Sequence, residues 1–269
     1  MVAGASLEEP LTPILAFDIE CVPDFDGIRK VHDLPRELDD RLVAEWYSQK
    51  RRSASGNDFP PHYLQRVVAI SCALRNEAGF RVWSVGEPDD AEPELIRRFF
   101  DGIEKLTPQL VSWNGSGFDL PVLQHRALIC GACAARYWDW GDEDREFKFN
   151  NYLGRFHTRH IDLMDVLAGF QLRASAPLDA MARLCGFPGK LGMSGAEVAG
   201  AVARGDVREV RNYCETDAVN TLLLYQRFRL LRGELTAGEY ASEIASMREK
   251  LAASDAPHWK AFVAAWDAA

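Results

Sequence analysis

Apolar positions that alternate or cluster over short stretches predict several strands. Residues 13–20 form an apolar run that ends in acidic residues, which predicts a buried strand. Residues 65–74 and 79–85 are strand-like and are separated by four residues, so they predict a β-hairpin. Residues 109–113 predict a further short strand, whereas residues 160–167 could begin as a strand or as a helix.

Helical periodicity covers much of the remaining chain. Apolar residues at helical spacing predict an amphipathic helix over 92–106, and a second helix is predicted over 118–128. The chain from Leu178 onward is largely helical, with a long helix over about 207–231 and two more helices after Thr236. Helices therefore dominate the C-terminal third.

The order of these elements is β, insertion, β-hairpin, α, β, α, β, α, which predicts an α/β fold around a mixed sheet. Two insertions interrupt it, at about 24–62 and 134–158. We expect a flexible N-terminus over 1–11, one domain over 12–235 and a helical C-terminal extension over 236–269.

Composition limits the class of protein. The chain has 269 residues, 47% of them hydrophobic, which is enough for one large core with insertions or two small domains. No apolar run approaches the roughly 18 residues of a membrane span, and no secretory signal is visible. Six cysteines lie in or beside apolar segments. These features favour a cytoplasmic protein without a membrane partner.

The formal net charge of −9 argues against tight binding to duplex nucleic acid. An enzyme that acts on one chain end, however, needs only a short basic track. Metal ions also offset part of the negative charge of an acidic site. We therefore expect any nucleic-acid binding to be weak and transient.

Acidic side chains occur in three clusters, and the first lies at the end of the first predicted strand. Side chains alternate across a strand, so Asp18 and Glu20 share one face while Ile19 faces the opposite layer. Two carboxylates there can hold a hard cation, which takes oxygen ligands. Taken alone, the triplet also fits an ordinary strand that ends in solvent.

The other two clusters lie on predicted helices. Asp119 closes the segment Asn114–Asp119 and falls in a first helical turn, where the helix dipole favours a carboxylate. Tyr213 and Asp217 are four residues apart on a helix, so both project from one face. A structural helix-terminal acid and an exposed Tyr–Asp pair are the simpler readings of each cluster alone.

Together the clusters supply what two-metal hydrolysis of a phosphodiester requires. That chemistry needs a carboxylate shared by ions about 3.5–4 Å apart, further acids and a positioned water. A tyrosine hydroxyl one turn from a ligating carboxylate can orient that water. Clustered carboxylates resist ionising together without cations, so metal binding and the ionised site are expected to be coupled.

The three motifs resemble those of the DEDD superfamily of 3′–5′ exonucleases, and the Tyr-x-x-x-Asp form of the third is typical of its tyrosine-bearing branch. They are most similar to the exonuclease domain of family B DNA polymerases. The chain is more similar still to stand-alone bacterial proteins described as predicted polymerase-B-like 3′–5′ exonucleases. The resemblance covers roughly residues 12–235. Other segments that fit this group are Phe59–His62, Gln65–Ser71, Gly186–Lys190 and Asn220–Thr221.

The resemblance implies an RNase H-like fold, with a mixed five-stranded sheet flanked by helices. It also implies two divalent cations, Mg²⁺ or Mn²⁺, and no organic cofactor. In that arrangement Asp18 bridges both ions, Glu20 and Asp217 complete the site of one, and Asp119 supports the other. Tyr213 orients the nucleophile.

The same resemblance implies contacts with substrate by Asn114, Phe118 and Ile19. Two further residues are near-site candidates. Asp162 resembles an additional acid of polymerase-B-like exonucleases, although a helix N-cap would also explain it. Lys190 could contact a phosphate.

Weaker signals lie in the insertions. Cations and aromatic residues are mixed at Lys50–Arg52 and from Arg136–Trp140 through Arg159, a composition that binds single strands but also occurs in solvated loops. Cys130 and Cys133, with two distant histidines, could hold zinc, although cysteines in the core explain them more simply.

We therefore predict a metal-dependent 3′–5′ exonuclease that releases nucleoside 5′-monophosphates from a single-stranded nucleic-acid 3′ end, with DNA preferred. The alternative enzyme is an exoribonuclease that acts on RNA or short oligoribonucleotides. A non-catalytic nucleic-acid-binding or accessory domain is the alternative outside enzymes. The presence of all four acids and the tyrosine argues against it, and the sequence identifies no protein partner.

Overall fold

The computed structural model describes residues 12–268, so the expectation for residues 1–11 lies outside the described part. Within residues 12–268 the chain forms one sheet of five strands, in the order β3-β2-β1-β4-β5. Their bounds are β1 Ile14–Pro23, β2 Gln65–Asn76, β3 Gly79–Ser84, β4 Gln109–Ser112 and β5 His160–Asp162.

The sheet is mixed, as the sequence predicts. β1 and β2 pair in antiparallel register, with Asp18 opposite Ser71, and β3 completes the predicted hairpin. β4 pairs parallel to β1, and β5 pairs parallel to β4. The central position of β1 explains its nearly continuous apolar sequence, because both of its faces are covered.

Ten α-helices flank the sheet within residues 12–268. Their bounds are α1 Phe25–Val31, α2 Asp40–Ser55, α3 Glu92–Leu106, α4 Asp119–Cys130, α5 Leu163–Leu167, α6 Leu178–Leu184, α7 Gly195–Ala203, α8 Val207–Leu231, α9 Ala237–Ala252 and α10 Pro257–Asp267. α3 and α4 bury one face of the sheet, and α6 and α8 bury the other. The predicted α/β class, sheet and helical C-terminal extension are therefore confirmed.

The first insertion contains α1 and α2, which enclose a small core of their own. Arg126 of α4 anchors the start of this insertion. It pairs with Asp24 at 2.5 Å and with Glu92 of α3, and the side chain of Arg126 is only 6% exposed. Breaking such a buried pair leaves a charge without compensation, so the insertion is held firmly against the sheet layer.

The second insertion uses much of its aromatic character internally. Tyr137, Phe147 and Tyr152 are buried in the same core as α3 and α4. The guanidinium groups of Arg136 and Arg159 lie 5.2 and 3.8 Å from the centre of the Phe147 ring. These two cations therefore stabilise the insertion by cation–π contacts.

The C-terminal helices α9 and α10 pack on the α8 side of the molecule. Met247, Leu251, Trp259 and Phe262 are buried there together with residues of the sheet and α8. Across residues 12–268 the structure contains no helix with both the length and the apolar character needed to cross a membrane.

Candidate active site

β1 presents Asp18 and Glu20 on the face that α8 covers. Phe17 and Ile19 point to the opposite core, as strand alternation predicts. The thiol of Cys214 in α8 donates a hydrogen bond to the backbone carbonyl of Asp18, with a sulfur–oxygen distance of 3.2 Å. This contact sets α8 closely against β1.

α8 then brings Asp217 to the two carboxylates of β1. Within residues 12–268, Asp18, Glu20 and Asp217 form a cluster in which one oxygen from each lies within 4.8 Å of the others. Two elements nearly 200 residues apart in sequence thus meet at one point, and the helix supplies the third acid. We call these three residues the acidic cluster.

Burial and mutual repulsion disfavour the charged forms of these acids. Burial raises the pKa of Asp18 well above its usual range, and the nearby Asp119 and Asp217 raise it further. Burial and then Asp217 raise the pKa of Glu20 to about 8. The pKa of Asp217 is also raised, mainly by burial. A cation would reverse this effect, because it stabilises the ionised carboxylates.

Lys190 places an ammonium group beside the acidic cluster. Its Nζ pairs with Oδ2 of Asp217 and donates a hydrogen bond of 2.5 Å to the hydroxyl of Tyr213. Burial lowers the pKa of Lys190, but Asp217 and Asp18 more than offset this and raise it overall. The lysine therefore stays charged and links the carboxylate to the tyrosine.

One carboxylate oxygen of the cluster has no such partner. Oδ1 of Asp217 is buried and accepts no hydrogen bond from any residue of the described chain. An unsatisfied buried acceptor is costly unless a ligand completes it. Hard divalent cations take oxygen ligands of this kind, so the donor set fits Mg²⁺ or Mn²⁺.

Asp119 lies beside the acidic cluster rather than within it. It is the first residue of α4 and is buried, and its Oδ1 accepts a hydrogen bond of 3.2 Å from the amide of Ile19. Burial raises its pKa to about 7, although backbone hydrogen bonds from Asp119 itself and Ile19 oppose the shift. Three of the four predicted acids therefore converge, and the fourth adjoins them through β1.

The residues predicted to contact substrate occupy different environments. Asn114 and Phe118 lie in the turn between β4 and α4, and Ile19 lies on β1. Asn114 adopts the left-handed conformation, with φ 67°, which asparagine tolerates better than most residues. A Cβ at Gly117 would lie 2.5 Å from Oδ1 of Asn114, so a larger residue there would displace the Asn114 side chain. Phe118 is half-buried, whereas the side chain of Ile19 is buried in the core.

Asp162, at the end of β5, stabilises the turn between β4 and α4 through its side chain. Its carboxylate accepts hydrogen bonds of 2.9 Å from the amides of Asn114 and Ser116, and it also caps α5. This near-site candidate therefore binds the turn and is also the N-cap of α5, which the sequence analysis gave as the alternative explanation.

Two residues that fix Lys190 were given no role by the sequence: Asn220, which only matched the family pattern, and Asp179, which was not singled out. The amide of Asn220, buried in α8, donates to the carbonyl of Gly189 at 2.8 Å and accepts from its amide at 3.3 Å. The carboxylate of Asp179 accepts from the amide of Lys190 at 2.7 Å. Asn220 lies three residues after Asp217 on the helix, and this spacing together with the match of Asn220–Thr221 to the family was the available signal.

Cys130 and Cys133 are not core residues as the simpler explanation expects, because Cys130 is half-buried and Cys133 is exposed. The acidic cluster is the one grouping of three or more potential metal-ligating side chains found in the described part of the chain, and it excludes Cys130 and Cys133. The ring of His157 is instead hydrogen-bonded to Asn151.

A mixed five-stranded sheet with helices on both faces and acids on its central strand defines the RNase H-like class. Within that class, the chain belongs to the family described as predicted 3′–5′ exonucleases related to the exonuclease domain of PolB, whose model matches residues 57–266. The predicted family is therefore confirmed, by a match that contains the second and third sequence motifs. None of the curated proteins matches the sequence.

Among solved structures, the chain is similar to the family B DNA polymerase from the hyperthermophilic archaeon Pyrobaculum calidifontis. The TM-score is 0.50 at 21% sequence identity, and the match covers 82% of this chain. It covers only 25% of the polymerase chain. At this identity the similarity concerns the fold.

Proposed function

We propose that the protein is a metal-dependent 3′–5′ exonuclease that hydrolyses terminal phosphodiester bonds of single-stranded nucleic acid and prefers DNA. The observation that supports it most is the acidic cluster, with its raised pKa values and the unsatisfied Oδ1 of Asp217. Membership of a family related to the PolB exonuclease domain favours DNA as the polymer.

Asp18, Glu20 and Asp217, with Asp119 beside them, are the residues that would hold two divalent cations. Bound cations supply positive charge that offsets the phosphate and the charge developing in the transition state. In the proposed reaction, water attacks the terminal phosphorus and the bond to the 3′ oxygen of the penultimate nucleotide breaks. The products are a nucleoside 5′-monophosphate and a shortened strand with a free 3′ hydroxyl.

Tyr213 and Lys190 act as a pair in this proposal. Burial and the nearby Asp217 raise the pKa of Tyr213, so its phenol stays protonated and can orient water or a phosphate oxygen. Lys190 fixes that phenol by its hydrogen bond. Asn114, Phe118 and the backbone around Ile19 are proposed to contact the terminal nucleotide.

Digestion of 5′-labelled single-stranded DNA and RNA with Mg²⁺ or Mn²⁺ tests the proposal. The wild type is expected to produce a ladder that shortens from the 3′ end, and Asp18→Asn is expected to lose it. Asp101→Asn, which changes an exposed acid on α3, is the matched control and should retain the ladder. Shortening of RNA alone would assign the exoribonuclease alternative. No turnover of either polymer with either metal would contradict the proposal.

A further inference from the structure

Aromatic rings form a partly exposed strip beside the turn that carries Asp119. The aromatic strip comprises Phe59, His62, Tyr63, Phe118 and His125. The rings of Phe59 and His62 lie 5.9 and 5.7 Å from the ring of Phe118, and the rings of Tyr63 and His125 lie 6.2 Å apart. Phe59 is 52% exposed and Tyr63 is 45% exposed, so much of their apolar surface faces solvent.

The aromatic strip is continuous with the candidate active site. Phe118 immediately precedes Asp119, and its ring packs against the core below. His62 contacts the backbone of Gly117, which opposes the lowering of its pKa by burial and by His125. A strand whose last nucleotide reached Asp119 would therefore lie next to this strip.

Local contacts hold the exposed ring of Phe59 in place. Its backbone carbonyl accepts hydrogen bonds of 3.3 and 3.2 Å from Nε and Nη2 of Arg51, which lies in the C-terminal part of α2. Pro60 and Pro61 follow, and each proline fixes its own φ. The carbonyl of Pro60 also accepts a hydrogen bond of 2.9 Å from the side-chain amide of Gln65. The segment is thus preorganised, with the Arg51 guanidinium bound to the backbone carbonyl of Phe59.

We propose that the aromatic strip stacks unpaired nucleobases of the substrate strand, with Phe118 at the 3′-terminal nucleotide, Phe59 and Tyr63 at nucleotides upstream of it, and Arg51 and His125 close to the phosphates. This inference rests on the proposed exonuclease function. Every base has a π-face, so stacking of this kind tolerates any sequence and requires the bases to be unpaired. It gives a physical reason for selecting single strands although the protein has a net negative charge.

Equilibrium binding tests the inference without turnover. A fluorescein-labelled single-stranded DNA 12-mer is titrated with protein in Ca²⁺, and anisotropy gives the dissociation constant. Phe59→Ala is expected to weaken binding about tenfold. Leu231→Ala is the control, because Leu231 is a 73% exposed apolar residue at the end of α8, outside the aromatic strip, and it should bind like the wild type.

Abasic residues locate the bases that stack. Replacing one base at each position near the 3′ end should weaken binding to the wild type at two or three internal positions. At one of those positions the loss should disappear in Phe59→Ala, because the contact is already absent. Equal affinities of Phe59→Ala and wild type, or equal sensitivity to abasic residues, would overturn the inference.

A short substrate separates this inference from the function on which it depends. The p-nitrophenyl ester of thymidine 5′-monophosphate has no upstream base, so Phe59→Ala should hydrolyse it at the wild-type rate while its KM for the 12-mer rises. If the wild type hydrolysed neither substrate, the proposed exonuclease function would be contradicted, but the proposed stacking of bases on the aromatic strip would not. Loss of a protein dimer in Phe59→Ala, with unchanged binding of DNA, would assign the strip to a second copy of the chain and overturn the inference.

Discussion

Glu20 and Asp119 have carboxyl groups that titrate near neutrality in the folded chain. Burial raises the pKa of Glu20 to about 8 and that of Asp119 to about 7, whereas carboxyl groups in an unfolded chain titrate at about 4. Between those values the folded protein binds more protons than the unfolded protein. The free energy of unfolding therefore decreases as pH rises through this window.

Metal-free protein is accordingly expected to lose stability between about pH 4.5 and pH 8, by up to about 1.4 kcal/mol per pH unit for each of the two carboxyl groups. Denaturant unfolding in EDTA at a series of pH values measures this slope. Glu20→Gln should flatten it, whereas Glu37→Gln, at an exposed acid, should leave it unchanged. Equal slopes for wild type and Glu20→Gln would show that this carboxylate is not strained by burial.

Lys190 is expected to affect turnover more than substrate binding. Lys190→Met removes the hydrogen bond that fixes Tyr213 and the charge that pairs with Asp217. We expect kcat to fall about 10- to 100-fold with little change in KM, as is typical when a group supporting a metal site is lost. Lys105→Met, at an exposed lysine of α3, should behave as wild type in the same steady-state assay.

Among single residues, the sequence was most informative where a regular element fixes the direction of side chains. Strand alternation placed Asp18 and Glu20 on one face, and helical spacing placed Tyr213 with Asp217. The sequence could not predict the contact between Lys190 and Asp217, because an irregular segment and a separate helix lie between the two residues. Contacts of that kind depend on tertiary packing.

The helix α8 organises the segment before Lys190 through Asn220. Asn220→Ala removes both hydrogen bonds to Gly189 and leaves the backbone groups of a buried glycine unsatisfied. We expect it to lower the free energy of unfolding by about 1–3 kcal/mol and to reduce kcat, because Lys190 loses its support. Asn220→Asp keeps one acceptor for the amide of Gly189. A full loss of activity without a loss of stability would contradict a supporting role.

Elements with strong periodicity were predicted well, and short ones were not. The amphipathic helix α3 and the hairpin of β2 and β3 were both predicted with nearly their observed bounds. β5 has only three residues and runs directly into α5, which explains why the sequence left its type open. Residues 160–162 form a strand because they pair with β4, which is a tertiary interaction.

The C-terminal helices are part of the folded unit rather than an appendage. Phe262 of α10 is fully buried in the core that α8 and the sheet share. Phe262→Ala should therefore lower the free energy of unfolding by about 3–5 kcal/mol, in a single transition measured by circular dichroism. Leu231→Ala, at an exposed position, should change it by less than about 0.5 kcal/mol. Separate transitions for helices and sheet would contradict one cooperative core.

For the whole molecule, the order of the motifs identified the family, which composition alone could not do. The net charge of −9 argued against tight binding to duplex nucleic acid. A net charge, however, is a sum over the whole chain and contains no information about where the acidic residues lie. The fold gathers three of them at one point and leaves aromatic rings beside the turn that carries Asp119. Neither arrangement is visible in a residue count.

The proposed chemistry places one oxygen of solvent in the released nucleotide. A single-stranded DNA oligonucleotide is digested with Mg²⁺ in water enriched in oxygen-18, and the products are identified by mass spectrometry. We expect nucleoside 5′-monophosphates that carry one heavy oxygen, released in order from the 3′ end, and none with Asp18→Asn. Products with a 3′-phosphate, release from the 5′ end, or unchanged release by Asp18→Asn would contradict 3′–5′ hydrolysis at the acidic cluster.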